Sequence, residues 1–77
     1  MKYRIYVSFK KGILDPEAEA IKKTLHASGF ECIRDLKKGK FFDIDTSNES
    51  SEKEIVSLSK KILSNPIIEN FEIEKLN

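Results

Sequence analysis

Residues 30–46 read FECIRDLKKGKFFDIDT, and how this stretch folds decides the architecture of the whole chain. FECIRDL (30–36) and KFFDIDT (40–46) are strand candidates, and Lys37-Lys38-Gly39 between them supplies a glycine for a tight reversal. Read as a hairpin, the stretch puts two adjacent antiparallel strands in the middle of the chain.

Upstream, residues 2–9 alternate: Tyr3, Ile5, Val7 and Phe9 fall on one side, Lys2, Arg4, Tyr6 and Ser8 on the other. That period of two predicts a half-buried strand. Asp15-Pro16 then supplies a cap for orphan backbone NH groups and a residue whose φ is already set for a first helical turn. Ala18, Ile21 and Leu25 recur at helical spacing, and Gly29 stands where a helix ends in the left-handed conformation. A helix is predicted over about 16–28.

Downstream, SNESSEKE (47–54) offers Ser and Asn caps with acidic residues in the first turn, followed by an apolar stripe of Ile55, Leu58, Ile62 and Leu63. This second helix is expected to stop near Ser64, because Asn65 precedes Pro66 and is pushed away from helical angles. Phe71 and Ile73 alternate with Glu72 and Glu74 as a last strand.

The resulting order is β-α-β-β-α-β over a single domain, residues 1–77. It is the connectivity of an α+β, ferredoxin-like two-layer sandwich, with a four-stranded antiparallel sheet and two helices on one face. Right-handed crossovers favour strand order 4-1-3-2. The charges fit: on the open face the first strand presents Lys2 and Arg4 between Asp43 and Asp45 on one side and Glu72 and Glu74 on the other. Opposite charges facing each other across strands contribute roughly 0.2–1 kcal/mol per pair.

Composition narrows the function. A chain of 77 residues without disulfides or metal builds a core worth only about 3–5 kcal/mol, so self-association is expected, as a homodimer or a tetramer. Self-association can run edge to edge or face to face; Tyr6 and Phe41, on the open sheet face, are the residues expected in it. Fourteen basic and thirteen acidic residues are interleaved, which argues against nucleic acid as a partner. No apolar stretch approaches the roughly 20 residues of a membrane span, and a cytoplasmic protein without membrane partners is expected.

The residues also argue against resident chemistry. Cys32 is the only cysteine, too few thiols for a soft-metal site, and Gly12, Gly29 and Gly39 stand alone instead of forming a phosphate loop. His26 reads as a partly solvated helix residue, since a catalytic base needs a nucleophile and an orienting group. Asp43 and Asp45 share a face and could hold a cation, but Lys2, Arg4 and Arg34 are expected nearby as salt-bridge partners. Catalytic, cofactor-binding and metal-ligating residues are therefore expected to be absent. A runner-up reading is an effector-binding regulatory domain of the same shape.

Three segments in this order resemble the PurS family: Leu14-Asp15-Pro16 with Ala20-Ile21 and Leu25, then Gly39-Lys40, then Lys61-Ile62-Leu63-Ser64-Asn65-Pro66-Ile67-Ile68-Glu69. Each piece alone is common; the combination is specific, above all the closing Leu-x-Asn-Pro-x-Ile-Glu. The resemblance spans residues 3–74. It implies the small, non-catalytic assembly subunit of a three-component phosphoribosylformylglycinamidine (FGAM) synthase, a glutamine-dependent C–N ligase of purine biosynthesis. A PurQ-type glutaminase would release ammonia, a PurL-type synthetase would use ATP and Mg, and this chain would bridge them. ATP, Mg and glutamine then belong to the partner subunits. Lys40, Asn65 and Glu69, polar and close to element ends, are the expected partner contacts, with Lys38 and Arg34 beside them.

Overall fold

Strand β1 (Lys2–Phe9) lies at the centre of an antiparallel sheet, with β2 (Gly39–Asp45) on one side and β3 (Glu69–Lys75) on the other. The computed structural model describes residues 1–46 and 52–77, so the expected caps at 47–51 lie outside the described residues. The alternation of β1 is realised: Tyr3, Ile5 and Val7 are buried, while Lys2, Tyr6 and Ser8 are exposed. Its register sets Arg4 opposite Asp43 on β2 and Glu74 on β3.

Helix α1 (Pro16–Ala27) starts as its sequence dictates. Asp15 Oδ1 accepts from the amides of Glu17 at 3.1 Å and Ala18 at 3.2 Å, and Pro16 fills the first turn. Gly29, at φ +98°, closes the helix in the left-handed region, and the Phe30 amide donates to the Leu25 carbonyl.

Helix α2 (Glu52–Leu58) covers one face of the sheet. It runs into a π-helical turn, Ser59–Leu63. The wider turn rotates the following residues out of the α-helical register. Ile62, expected in the apolar stripe, is consequently 78% exposed, whereas Leu63 packs on the core. The buried Ser59 hydroxyl donates to the Ile55 carbonyl at 2.7 Å, and the Ser64 hydroxyl donates to the Ser59 carbonyl at 2.8 Å, which satisfies polar groups that the π turn would leave open.

The core is small. Tyr3, Ile5, Val7 and Ile55 form it, with Met1, Phe42, Ile44, Leu58, Leu63, Phe71 and Ile73 packed around them.

Two expectations are corrected. Among the described residues the sheet has three strands, not four, because 30–36 does not form a strand and does not pair with β2 as a hairpin. Residues 33–38 contain neither turn nor bend, so the chain runs straight through Lys37-Lys38-Gly39 into β2. Gly39 serves another purpose: a Cβ there would lie 2.6 Å from the Val7 carbonyl oxygen. The position of β1 between its two neighbours does match the expected order.

The second correction concerns α1. Its stripe, Ala18, Ile21 and Leu25, contributes nothing to the core cluster, and Ile21 is 40% exposed. The helix instead contacts the segment that follows it, His26 Nε2 donating to the Ile33 carbonyl at 2.7 Å. The chain is correspondingly long, 49 × 26 × 14 Å with a radius of gyration of 15.9 Å, against about 11–12 Å for a compact domain of this length.

Candidate interaction surfaces

The open face of the sheet carries an aromatic and ionic cluster. Arg4 Nε and Nη2 donate to Asp43 Oδ1 and Oδ2 at 2.7 and 3.0 Å, a two-pronged pair across β1 and β2. The Arg4 guanidinium also lies over the Phe41 ring, 4.5 Å from its centroid. Tyr6 meets Phe41 at 6.3 Å between ring centroids, and its hydroxyl donates to Glu74 at 3.3 Å. Hydrogen bonding from Arg4 holds the Asp43 carboxyl below its ordinary value, and Asp43 raises that of Arg4. Tyr6 and Phe41, expected together from the strand pattern, are thus adjacent, and they remain 41% and 55% exposed. A rigid aromatic pair framed by charges is a chemistry suited to burial against another protein.

The turn after the π helix is held by the residues of the closing motif. Asn65 Oδ1 accepts from the Ile67 amide at 3.1 Å, and Glu69 Oε1 accepts from the Asn65 amide at 2.7 Å. The amides of Ile68 and Glu69 both donate to the Asn65 carbonyl, and the Lys10 amide donates to that of Ile68. Asn65 and Glu69 therefore act as internal supports of the turn. Beside them, Ile62 and Ile67 are 78% and 80% exposed. Sequence reading placed Ile62 in the core and gave Ile67 no role; the π turn accounts for Ile62, and Ile67 is exposed in the turn that follows it.

Lys38 lies between two carboxylates at the start of α1, its Nζ 3.3 Å from Asp15 and 3.6 Å from Glu17. Contact with Asp15 raises the Lys38 ammonium above its ordinary value. For Asp15 the largest single influence is lost hydration, which acts upward, but the amide of Ala18 and the Lys38 ammonium outweigh it and hold the carboxyl low. Lys40 is exposed at the start of β2, with its Nζ 5.8 Å from the Phe42 ring centroid, and Arg34 is exposed on the straight segment before it. The five polar residues expected at partner contacts are thus spread over two regions: Arg34, Lys38 and Lys40 along one approach to β2, Asn65 and Glu69 in the closing turn.

A cavity of about 350 Å³ opens between the loop after β1, the start of α1 and residues 35–38, lined by Phe9, Lys10, Leu14, Ala18, Leu36 and Lys37 among others. Among the described residues, no group of three or more His, Cys, Asp or Glu side chains stands close enough to hold a metal ion. No helix among them is long and apolar enough to cross a membrane.

Comparison with known proteins places this arrangement. Residues 2–77 match the family model described as PurS, phosphoribosylformylglycinamidine (FGAM) synthase. The phosphoribosylformylglycinamidine synthase subunit PurS of Archaeoglobus fulgidus is 38% identical over 72 residues, covering 90% of both chains. The crystal structure of Methanocaldococcus jannaschii PurS, one of the subunits of formylglycinamide ribonucleotide amidotransferase in the purine biosynthetic pathway, superposes with a TM-score of 0.82 at 34% identity, over 99% of this chain and 98% of that one. A chain in the structure of PurLQS from Thermotoga maritima superposes with a TM-score of 0.82 at 29% identity, over 97% and 95% of the two chains. With a family model matched from residue 2 to residue 77 and relatives aligned over nearly their full length, the chain belongs to the PurS family of phosphoribosylformylglycinamidine synthase subunits.

Proposed function

We propose that this chain is the assembly subunit of a three-component FGAM synthase of purine biosynthesis, holding a PurL-type synthetase and a PurQ-type glutaminase together while supplying no catalytic group. The observation that carries this reading is the full-length likeness to a chain of the PurLQS structure. Its polar side chains support it too, since the best placed of them are engaged in scaffold: Asp15 caps α1, and Asn65 and Glu69 brace the closing turn.

A subunit that positions others is physically useful here. Ammonia released by a glutaminase into bulk water is protonated and loses its nucleophilic lone pair, so the two active sites must be held in a fixed relation that shields the transfer. ATP and Mg act in the synthetase, and glutamine is hydrolysed in the glutaminase. Arg34, Lys38 and Lys40 along the approach to β2, and the surface of the turn that Asn65 and Glu69 brace, are the regions assigned to the partners. The chain acts as a homo-oligomer, with Tyr6 and Phe41 in a contact between copies. The test is co-elution: the synthetase and glutaminase subunits of the same organism form one complex in size-exclusion chromatography when this chain is added. Complete association without it would remove the role.

A second reading, an effector-binding regulatory domain, draws on the cavity beside Lys10 and Lys37. A metabolite binding there would raise the melting temperature of the isolated chain.

A further inference from the structure

The cavity between the loop after β1 and residues 35–38 has fixed walls. On one side, the Ile13 amide donates to the Lys10 carbonyl at 3.1 Å and closes a turn whose third residue, Gly12, has φ +89°, an angle that a type II turn requires at that position and that glycine adopts freely. The Lys10 amide donates to the Ile68 carbonyl at 2.8 Å and ties this turn to the chain entering β3. On the other side, Lys38 is clamped to Asp15 and Glu17, with its Nζ 6.0 Å from the Phe9 ring centroid. Walls held in this way are in place before a ligand arrives, and binding does not have to order them.

The lining is of two kinds. Phe9, Leu14 and Leu36 give an apolar side, on which Leu14 is 70% exposed. Lys10, Lys11 and Lys37 bring three ammonium groups that have no ion-pair partner among the described residues. Two carboxylates outside the Lys38 clamp oppose them: Glu19, and Asp35, whose Oδ1 accepts from the Leu36 amide at 2.9 Å. The balance of charge outside the clamp is therefore positive. The cavity volume of about 350 Å³ lies near the small end of ligand sites, roughly 300–1,000 Å³. At about 30 Å³ per water molecule, that is more room than a bare inorganic anion fills.

We propose that this cavity binds a small organic phosphate, with the phosphate group between Lys10 and Lys11 on the turn and Lys37 opposite, and the organic body against Phe9, Leu14 and Leu36. Ammonium groups act as point charges, and here they approach from two sides. That arrangement suits a tetrahedral anion with oxygens directed both ways, whereas a planar carboxylate presents its two oxygens to one side. The charge comes from side chains and not from a run of backbone amides, so the isolated glycines of the sequence give no sign of it. Because the walls belong to the loop that ends β1 and to the segment that leads into β2, an occupant joins the two connections through which α1 is attached to the sheet. The proposal deepens the regulatory reading by naming its ligand class, and rests on it.

The test titrates the full chain, ¹⁵N-labelled and at low salt, with phenyl phosphate, and in separate arms with inorganic phosphate and with benzoate, following the amide shifts. The expected result is saturable shifts of Phe9, Gly12, Leu36 and Lys37 with phenyl phosphate in the millimolar range, and weaker binding of the other two probes. The double variant Lys11→Ala/Lys37→Ala, at two exposed positions, is expected to weaken phenyl phosphate roughly tenfold while the rest of the spectrum stays in place. Absence of saturable shifts at these residues, inorganic phosphate or benzoate bound as tightly as phenyl phosphate, or a double variant that binds like the parent chain would each overturn the site. If phenyl phosphate raises the melting temperature while the lining amides do not shift, the regulatory reading stands and this site falls. If the lining amides shift but phenyl phosphate leaves co-elution of the synthetase and glutaminase with this chain unaltered, the site stands and the regulatory reading falls.

Discussion

Arg4 and Asp43 face each other across the β1–β2 ladder, with both prongs of the guanidinium on the carboxylate, at 2.7 and 3.0 Å. The Asp43 carboxyl is held low in the folded state, so its contribution to stability is present above the unfolded-state carboxylate value and is lost as pH falls through the folded one. The side chains are 33% and 51% exposed, and water and salt therefore screen much of the effect. Asp43→Asn is expected to lower the melting temperature modestly at pH 7 and to match the parent chain near pH 2. A difference of the same size at both pH values would contradict the pairing.

Gly39→Ala places a methyl group 2.6 Å from the Val7 carbonyl oxygen, and a backbone atom in a ladder cannot withdraw as a side-chain tip can. Overpacking of this kind costs about 1–3 kcal/mol, read from the shift of the urea midpoint. An unchanged midpoint would show that the β1–β2 register at Ser8 and Gly39 is not the one described.

Asn65→Ala removes the acceptor of the Ile67 amide, a loss of about 0.5–1.5 kcal/mol, while Glu69→Gln keeps an oxygen for the Asn65 amide and is expected to be near neutral. Chemical denaturation of both variants checks this. If Asn65→Ala leaves stability intact and instead weakens association with a partner subunit, the residue is a contact and not a brace.

Phe41→Glu inserts a charge into the exposed Tyr6–Phe41 pair. Light scattering is expected to show a monomer where the parent chain at equal concentration is an oligomer. Equal masses would remove the sheet face from self-association.

Where local chemistry acts alone, the sequence was a reliable guide. The alternation of Tyr3, Ile5 and Val7, the Asp15-Pro16 start and the Gly29 end each depend on a few neighbouring residues, and all are present in the structure; the pairing of Arg4 with Asp43 followed from the strand order and the opposite charges on the open face. The reading failed where the same residues admit two solutions. Gly39 fits a reversal and equally fits a close backbone approach; the structure uses the second. The 30–36 segment has strand character, but pairing is a property of a partner edge and not of the segment itself. The π turn at Ser59–Leu63 was hidden because its buried serine and exposed Ile62 reverse the polarity that helical periodicity assigns. Tyr6 and Phe41 could be brought together from strand parity, whereas the bracing roles of Asn65 and Glu69 needed the turn geometry.

The most direct test of the assembly role compares two nitrogen sources. The synthetase and glutaminase subunits from the same organism are assayed for FGAM formation with glutamine and with free ammonium, each with and without this chain. The expected result is that omitting the chain abolishes most glutamine-dependent turnover and leaves ammonium-dependent turnover largely in place. Full glutamine-dependent turnover without the chain would contradict the role.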